Sequence, residues 1–129
     1  MKLITGGAYQ GKLAFARKEY GLGEDGDWAD GAVCGREELF SRKGICHFHL
    51  FVRRMLEEGT DVSGLARELA EKNSQAVIVT TEVGCGVVPV DRFDRLYRET
   101  CGRLATELAE RSSRVHRIVC GIGMVLKDD

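Results

Sequence analysis

Apolar positions along the chain fall into short continuous runs and helical stripes, separated by glycine-rich or polar breaks. Leu3-Ile4 reads as a short buried strand, and Ala14, Phe15 and Ala16 before Arg17-Lys18 suit a helix. Tyr20 to Gly31 carries Gly21, Gly23, Gly26 and several acids, which is loop composition, with Trp28 expected to anchor it on the core. Ala32-Val33-Cys34 suggests a strand and Arg36 to Ser41 a short helix. From Cys46 to Glu58, Phe48, Phe51, Val52, Met55 and Leu56 recur at helical spacing. Gly59-Thr60-Asp61 breaks that helix and caps a second, whose apolar set is Val62, Leu65, Ala66, Leu69 and Ala70 and which ends at Lys72-Asn73-Ser74. Ala76 to Thr80 is β-branched, continuous and bounded by polar turns, so it reads as a central strand buried on both faces.

Asp91 to Arg111 predicts the longest helix, with Phe93, Leu96, Tyr97, Cys101, Leu104, Ala105 and Leu108 as its buried stripe and Arg92, Arg95 and Arg98 solvated. Arg117 to Cys120 predicts another buried strand, Gly121-Ile122-Gly123 a turn, and Met124 to Lys127 an edge strand. Strands alternating with helices argue for an α/β fold with a mostly parallel sheet covered on both sides.

Composition narrows the class. The 129 residues, 43% hydrophobic and 30% charged, suit one globular domain over residues 1–129. Nineteen basic against 20 acidic residues leave a net charge of −1, which argues against general affinity for nucleic acid or an anionic membrane. The amino terminus reads as a strand rather than a leader, and no apolar run approaches a bilayer span, so a soluble cytoplasmic protein is expected. Cys34, Cys46, Cys85, Cys101 and Cys120 are scattered without a C-x-x-C pair, as expected of reduced, mostly buried thiols.

The chemistry concentrates in Lys2 to Leu13, KLITGGAYQGKL. Gly6-x4-Gly11-Lys12 between a strand and a helix matches a phosphate-binding P-loop except at its last position. Glycines let backbone N–H groups wrap an anion, the helix N-terminus faces it, and lysine adds a mobile charge. Leu13 stands where Ser or Thr would help hold Mg²⁺. The candidate nucleotide-binding set is Gly6, Gly7, Ala8, Tyr9, Gln10, Gly11, Lys12 and Leu13. Glu82 follows the central strand's carboxyl end, on the rim where open α/β sheets bind ligands, and could orient a nucleophile or hold Mg²⁺ through water. Cys46 and His49, three apart in the helical reading, could share a face, but the local sequence completes no metal site. His47 and His49 are read as structural histidines or, less so, as acceptors of a nucleotidyl group or a proton. Arg53 and Arg54 are solvated by default, with phosphate contact the alternative.

GGAYQGK near the start, TEVGCGVVP in the middle and the final helix running into VCGIGMVLK resemble the bifunctional adenosylcobinamide kinase/adenosylcobinamide-phosphate guanylyltransferase family of cobalamin biosynthesis. The resemblance implies a P-loop (RecA-like) three-layer fold and a homo-oligomer, usually a trimer. It also implies binding of ATP or GTP with Mg²⁺, phosphorylation of a corrinoid side-chain hydroxyl, and transfer of GMP through a histidine. By resemblance Gly6, Gly7, Gly11 and Lys12 form the phosphate loop, and Glu82 with Gly84, Gly86 and Pro89 the rim segment. The chain departs from the family pattern at Leu13, at Tyr9-Gln10 in place of Arg-Ser, and at Ala105-Thr106 in place of Asn-Gln. It is also shorter than the family's usual length, and neither His47 nor His49 stands in the expected histidine motif. The expected function is therefore nucleotide binding with corrinoid phosphorylation, Lys12 and Glu82 carrying the chemistry and the guanylyltransferase half less expected. The alternative is an inactive nucleotide-binding or oligomeric regulatory partner of the same fold, and a metal or thiol protein built on Cys46, His49 and Cys85 comes third.

Overall fold

The computed structural model describes residues 1–83 and 91–129. Gly84, Gly86 and Pro89 of the expected rim loop, and Cys85, lie outside the described residues. Strands β1 (Lys2–Thr5), β2 (Trp28–Asp30), β3 (Gly44–Cys46), β4 (Val77–Val79), β5 (Arg114–Val119) and β6 (Ile122–Asp128) form one sheet in the order β2-β3-β4-β1-β5-β6. All neighbours are parallel except β5 and β6. The helices are α1 (Lys12–Glu19), α2 (Arg36–Leu39), α3 (Phe48–Glu57), α4 (Leu65–Lys72) and α5 (Arg92–Arg111), with a 3-10 turn at Asp25–Asp27.

Two apolar layers sandwich the sheet. On one face Leu3, Ile45, Ile78 and Val115 pack with Phe51, Val52, Leu69, Leu104 and Leu108 of α3, α4 and α5. On the other, Ile4, Val77, Val79 and Ile118 pack with Ala16 of α1, Leu22 and Trp28. Alternate residues of one strand thus serve opposite layers, as expected of a parallel sheet covered on both sides. The expected three-layer α/β class is the observed one.

Several elements agree with the sequence reading. β4 is fully buried between β3 and β1. α5 runs from Arg92 to Arg111, and Asp91 caps it by accepting from the N–H groups of Phe93 at 2.7 Å and Asp94 at 3.4 Å, a contribution of about 1 kcal/mol. Trp28 is buried and donates its indole N–H to the Leu22 carbonyl at 2.7 Å.

Others differ. Trp28-Ala29-Asp30, inside the expected loop, is β2, whereas Ala32-Val33 forms a turn rather than a strand. Cys46 closes β3 instead of opening a helix, and α3 starts only at Phe48 after His47, whose φ of 51° breaks the run. α4 begins at Leu65, behind an Asx turn in which Asp61 accepts from the Ser63 N–H at 2.9 Å. Leu96 is exposed, off the buried face of α5. β5 starts at Arg114 and β6 at Ile122, so the turn is the two residues Cys120 (φ 51°) and Gly121 (φ 75°), both positive as a tight hairpin requires. Ile122, Met124, Val125 and Leu126 of β6 are exposed. Cys34, Cys46 and Cys101 are buried free thiols, and Cys120 is exposed. Among the described residues no helix is long and apolar enough to cross a membrane.

Candidate active site

The carboxyl ends of β1, β3 and β4 meet in a cavity of about 410 Å³. It is lined by Ala8 to Ala14 on one side and by Cys46, His47, His49, Val79 and Thr81 on the other. The first wall is made by backbone. Gly6 leaves β1 at φ 152°, and a Cβ there would stand 2.6 Å from the Ile118 carbonyl oxygen, so only glycine passes this close to β5. Tyr9 (φ 60°), fully exposed, and Gly11 (φ 84°) turn the loop into α1. Gly11 supplies no side-chain cap, so the N–H groups of Lys12, Leu13 and Ala14 have no intrahelical acceptor. Lys12 is only 8% exposed and donates from Nζ to the Gly7 carbonyl at 2.6 Å, folding back over the loop. Burial pushes its ammonium below the ordinary lysine value, and the charge of Glu82 partly offsets that. Leu13 presents an apolar, half-buried side chain at the position of the absent hydroxyl.

Gln10 ties the loop to the hairpin between β5 and β6. Its carbonyl accepts from the Gly121 N–H at 2.8 Å, and its Oε1 accepts from the Cys120 N–H at 2.7 Å. Glu82 occupies the rim where the sequence puts it, donating its backbone N–H to the Gly6 carbonyl at 2.9 Å. Its carboxylate accepts from Arg117 Nε, 3.3 Å from both oxygens.

The second wall is made by side chains. Asp30 and Cys46 are in-register partners at the ends of β2 and β3, so they sit side by side. His47 turns back and places Nδ1 2.9 Å from Asp30 Oδ1, which also accepts from the Ala32 N–H at 3.0 Å. Gly31 makes this approach feasible: a Cβ there would lie 2.1 Å from the His47 carbonyl oxygen. Burial alone would push the Asp30 carboxyl up. The Ala32 N–H, His47 and Arg54 outweigh it and hold the group below its ordinary value. Burial, then the charge of Asp30, pushes the Cys46 thiol up to about 11. His49 Nδ1 accepts from the Thr81 N–H at 3.3 Å, which places its proton on Nε2. Burial, followed by the charges of His47 and Lys12, lowers its pKa to about 4, so it is neutral at physiological pH.

The structure therefore brings Gly6 to Leu13 together with Glu82, and adds Asp30, Cys46, His47 and His49. Arg54 does not join them: its Nη1 donates to the Gly31 and Cys34 carbonyls at 2.9 Å each, bracing the β2–α2 turn. Arg53 pairs with Glu57 and Asp94. The helical pairing of Cys46 with His49 is replaced by Cys46 with Asp30 and His47. No local spacing in the sequence points to Asp30; only the β2–β3 register does.

A strand, glycine loop and helix feeding a parallel sheet, with lysine at the helix start, define an α/β protein of P-loop type. The chain belongs to the cobinamide kinase/cobinamide phosphate guanyltransferase family, whose model matches residues 46–126. It is 41% identical over 54 residues to the bifunctional adenosylcobalamin biosynthesis protein CobU of Escherichia coli, covering 42% of this chain and 30% of that protein. Against the protein of the same name from Salmonella typhimurium the identity is again 41% over 54 residues. Against the bifunctional adenosylcobalamin biosynthesis protein CobP of Pseudomonas aeruginosa it is 38% over 61 residues, 47% of this chain and 35% of that protein. The aligned stretches thus span about a third of these relatives' length, and Gly6 to Lys12 precedes the family match.

Proposed function

We propose that the chain binds the phosphates of ATP or GTP at Gly6 to Lys12 and transfers a phosphoryl group to a corrinoid side-chain hydroxyl in adenosylcobalamin biosynthesis. The observation that carries this reading is Lys12: a nearly buried ammonium at a helix start, held over a glycine loop by the Gly7 carbonyl. A phosphate oxygen competes well for that donor, because it is charged and the helix's first N–H groups converge on the same place. In the transfer, the hydroxyl oxygen bonds to the terminal phosphorus as the bridging P–O bond breaks. Lys12 offsets the charge that develops, and Glu82 positions the attacking hydroxyl.

Mg²⁺ does not fit position 13, since Leu13 offers no ligand and both Glu82 oxygens face Arg117. The same two features favour a second reading, nucleotide binding without turnover by a regulatory or oligomeric partner. Calorimetric titration with GTP and ATP, with and without Mg²⁺, separates these readings when followed by a phosphoryl-transfer assay on cobinamide. Lys12→Ala is expected to weaken binding at least about 10-fold. Equal affinity in wild type and variant would remove the phosphate-loop reading, and binding without product would select the second. Sedimentation of the same preparation reads out the trimer implied by the resemblance, which a monomer would exclude.

A further inference from the structure

The loop lacks its metal-holding hydroxyl, yet Cys46 and His47 of the facing wall, with Asp30 beside them, gather donors of another kind. One ligand atom each from Asp30, Cys46 and His47 lies within 4.8 Å of the others, a sulfur, an imidazole nitrogen and a carboxylate oxygen. We propose that Asp30, Cys46 and His47 form a site for a divalent transition-metal ion of the zinc type, which supplies this cavity with the cation that position 13 cannot hold.

Three observations support it. First, the donors are positioned by backbone rather than by mobile side chains: Asp30 and Cys46 are fixed by strand register, and His47 by its left-handed turn against Gly31. Second, Cys46 and His47 line the cavity and Asp30 Oδ1 stands 2.9 Å from His47 Nδ1, so an ion held by the three would face the same space as the glycine loop. Third, the donor set selects the metal. Mixed sulfur, nitrogen and oxygen ligands suit Zn²⁺ or Co²⁺, whereas Mg²⁺ prefers oxygen alone. Binding forms a metal–sulfur bond and breaks the thiol S–H bond, the proton passing to solvent. Three protein ligands leave a fourth position for water or, if the nucleotide reading above holds, for a phosphate oxygen. That last step alone rests on the proposed function.

The test uses the whole chain, stripped with chelator and titrated with Co²⁺ in the absence of nucleotide. The expected result is one equivalent bound, with the sulfur-to-cobalt charge-transfer band and tetrahedral d–d bands, both displaced by Zn²⁺. Cys46→Ser is expected to abolish the charge-transfer band. Asp30→Asn, isosteric and partly exposed, is expected to weaken Co²⁺ binding about 10-fold or more. Cys120→Ser controls for the exposed thiol and should change neither. Absence of thiolate bands, a band that survives Cys46→Ser, a band lost in Cys120→Ser, or unchanged affinity in Asp30→Asn overturns the proposal. Because no nucleotide is present, this failure is separate from failure of the phosphate loop, which is read only in the nucleotide titration.

Discussion

The two walls of the cavity are built by different rules. The Gly6 to Lys12 wall is a continuous stretch of backbone whose shape follows from glycine spacing, and the Lys12 side chain folds onto it, Nζ 2.6 Å from the Gly7 carbonyl. The Asp30–Cys46–His47 wall joins residues from two strands that are 16 positions apart in the chain at Asp30 and Cys46 and become neighbours only through sheet pairing. A wall made of backbone tolerates side-chain change but not added Cβ atoms. A wall made of side chains depends on register, because a slip of one residue would turn Asp30 or Cys46 to the other face.

The strongest way to break the comparison is Gly31→Ala. The new methyl would meet the His47 carbonyl at 2.1 Å, against backbone that cannot rotate away, so a loss of about 3 kcal/mol in urea unfolding is expected. The damage should fall on the side-chain wall, and unfolding at the wild-type midpoint would mean that the His47 turn is not as tight as described. Gln10→Ala tests the other wall. Losing the Cys120 N–H contact is expected to cost about 1 kcal/mol or less, with faster amide exchange at Cys120. Unchanged exchange there would show that the loop does not lean on the hairpin.

The smallest effect is read by pH, where the end of the helix that follows the loop meets β5. α1 is fastened to β5 by Tyr20 Oη and His116 Nε2 at 2.9 Å, with Phe15 edge-on to the imidazole. Burial, then the charge of Arg114, holds the His116 pKa below its ordinary value. The unfolded chain therefore takes up a proton at this histidine before the folded one does, and stability falls as pH drops below about 6.5. His116→Gln should flatten that part of the slope in urea midpoints measured from pH 7.5 to 5.5. Identical slopes in the two proteins would assign the dependence elsewhere.

Legibility in the sequence divides along the same line. β1, β4 and α5 were readable because each carries its own signal: an apolar run before a glycine loop, a β-branched run, and a capped stripe of four turns or more. β2 and β3 were not, because neither carries a continuous β-branched or apolar run of the kind that marks β4. Trp28-Ala29-Asp30 is embedded in glycine and acid, and Gly44-Ile45-Cys46 runs straight into the apolar pattern of α3. Missing those two strands meant missing their register, and with it the meeting of Asp30 with Cys46. The positions of the glycine loop and of Glu82 were legible because a local motif and the carboxyl edge of a recognisable strand place them. His47 and His49 were visible as residues but misplaced on a continuous helix, since nothing in the sequence announces a non-glycine residue at φ 51°.

The bonds from Gln10 to Cys120 and Gly121 join parts of the chain more than 100 residues apart. During synthesis the loop's sequence emerges before β5 and the hairpin that brace it, which follow β4 and α5. The loop must therefore wait for a segment more than 100 residues downstream before it is braced, and an intermediate lacking β5 exposes the β1 edge that β5 later covers. The shape of the loop is in this sense a property of the paired sheet rather than of its own local motif.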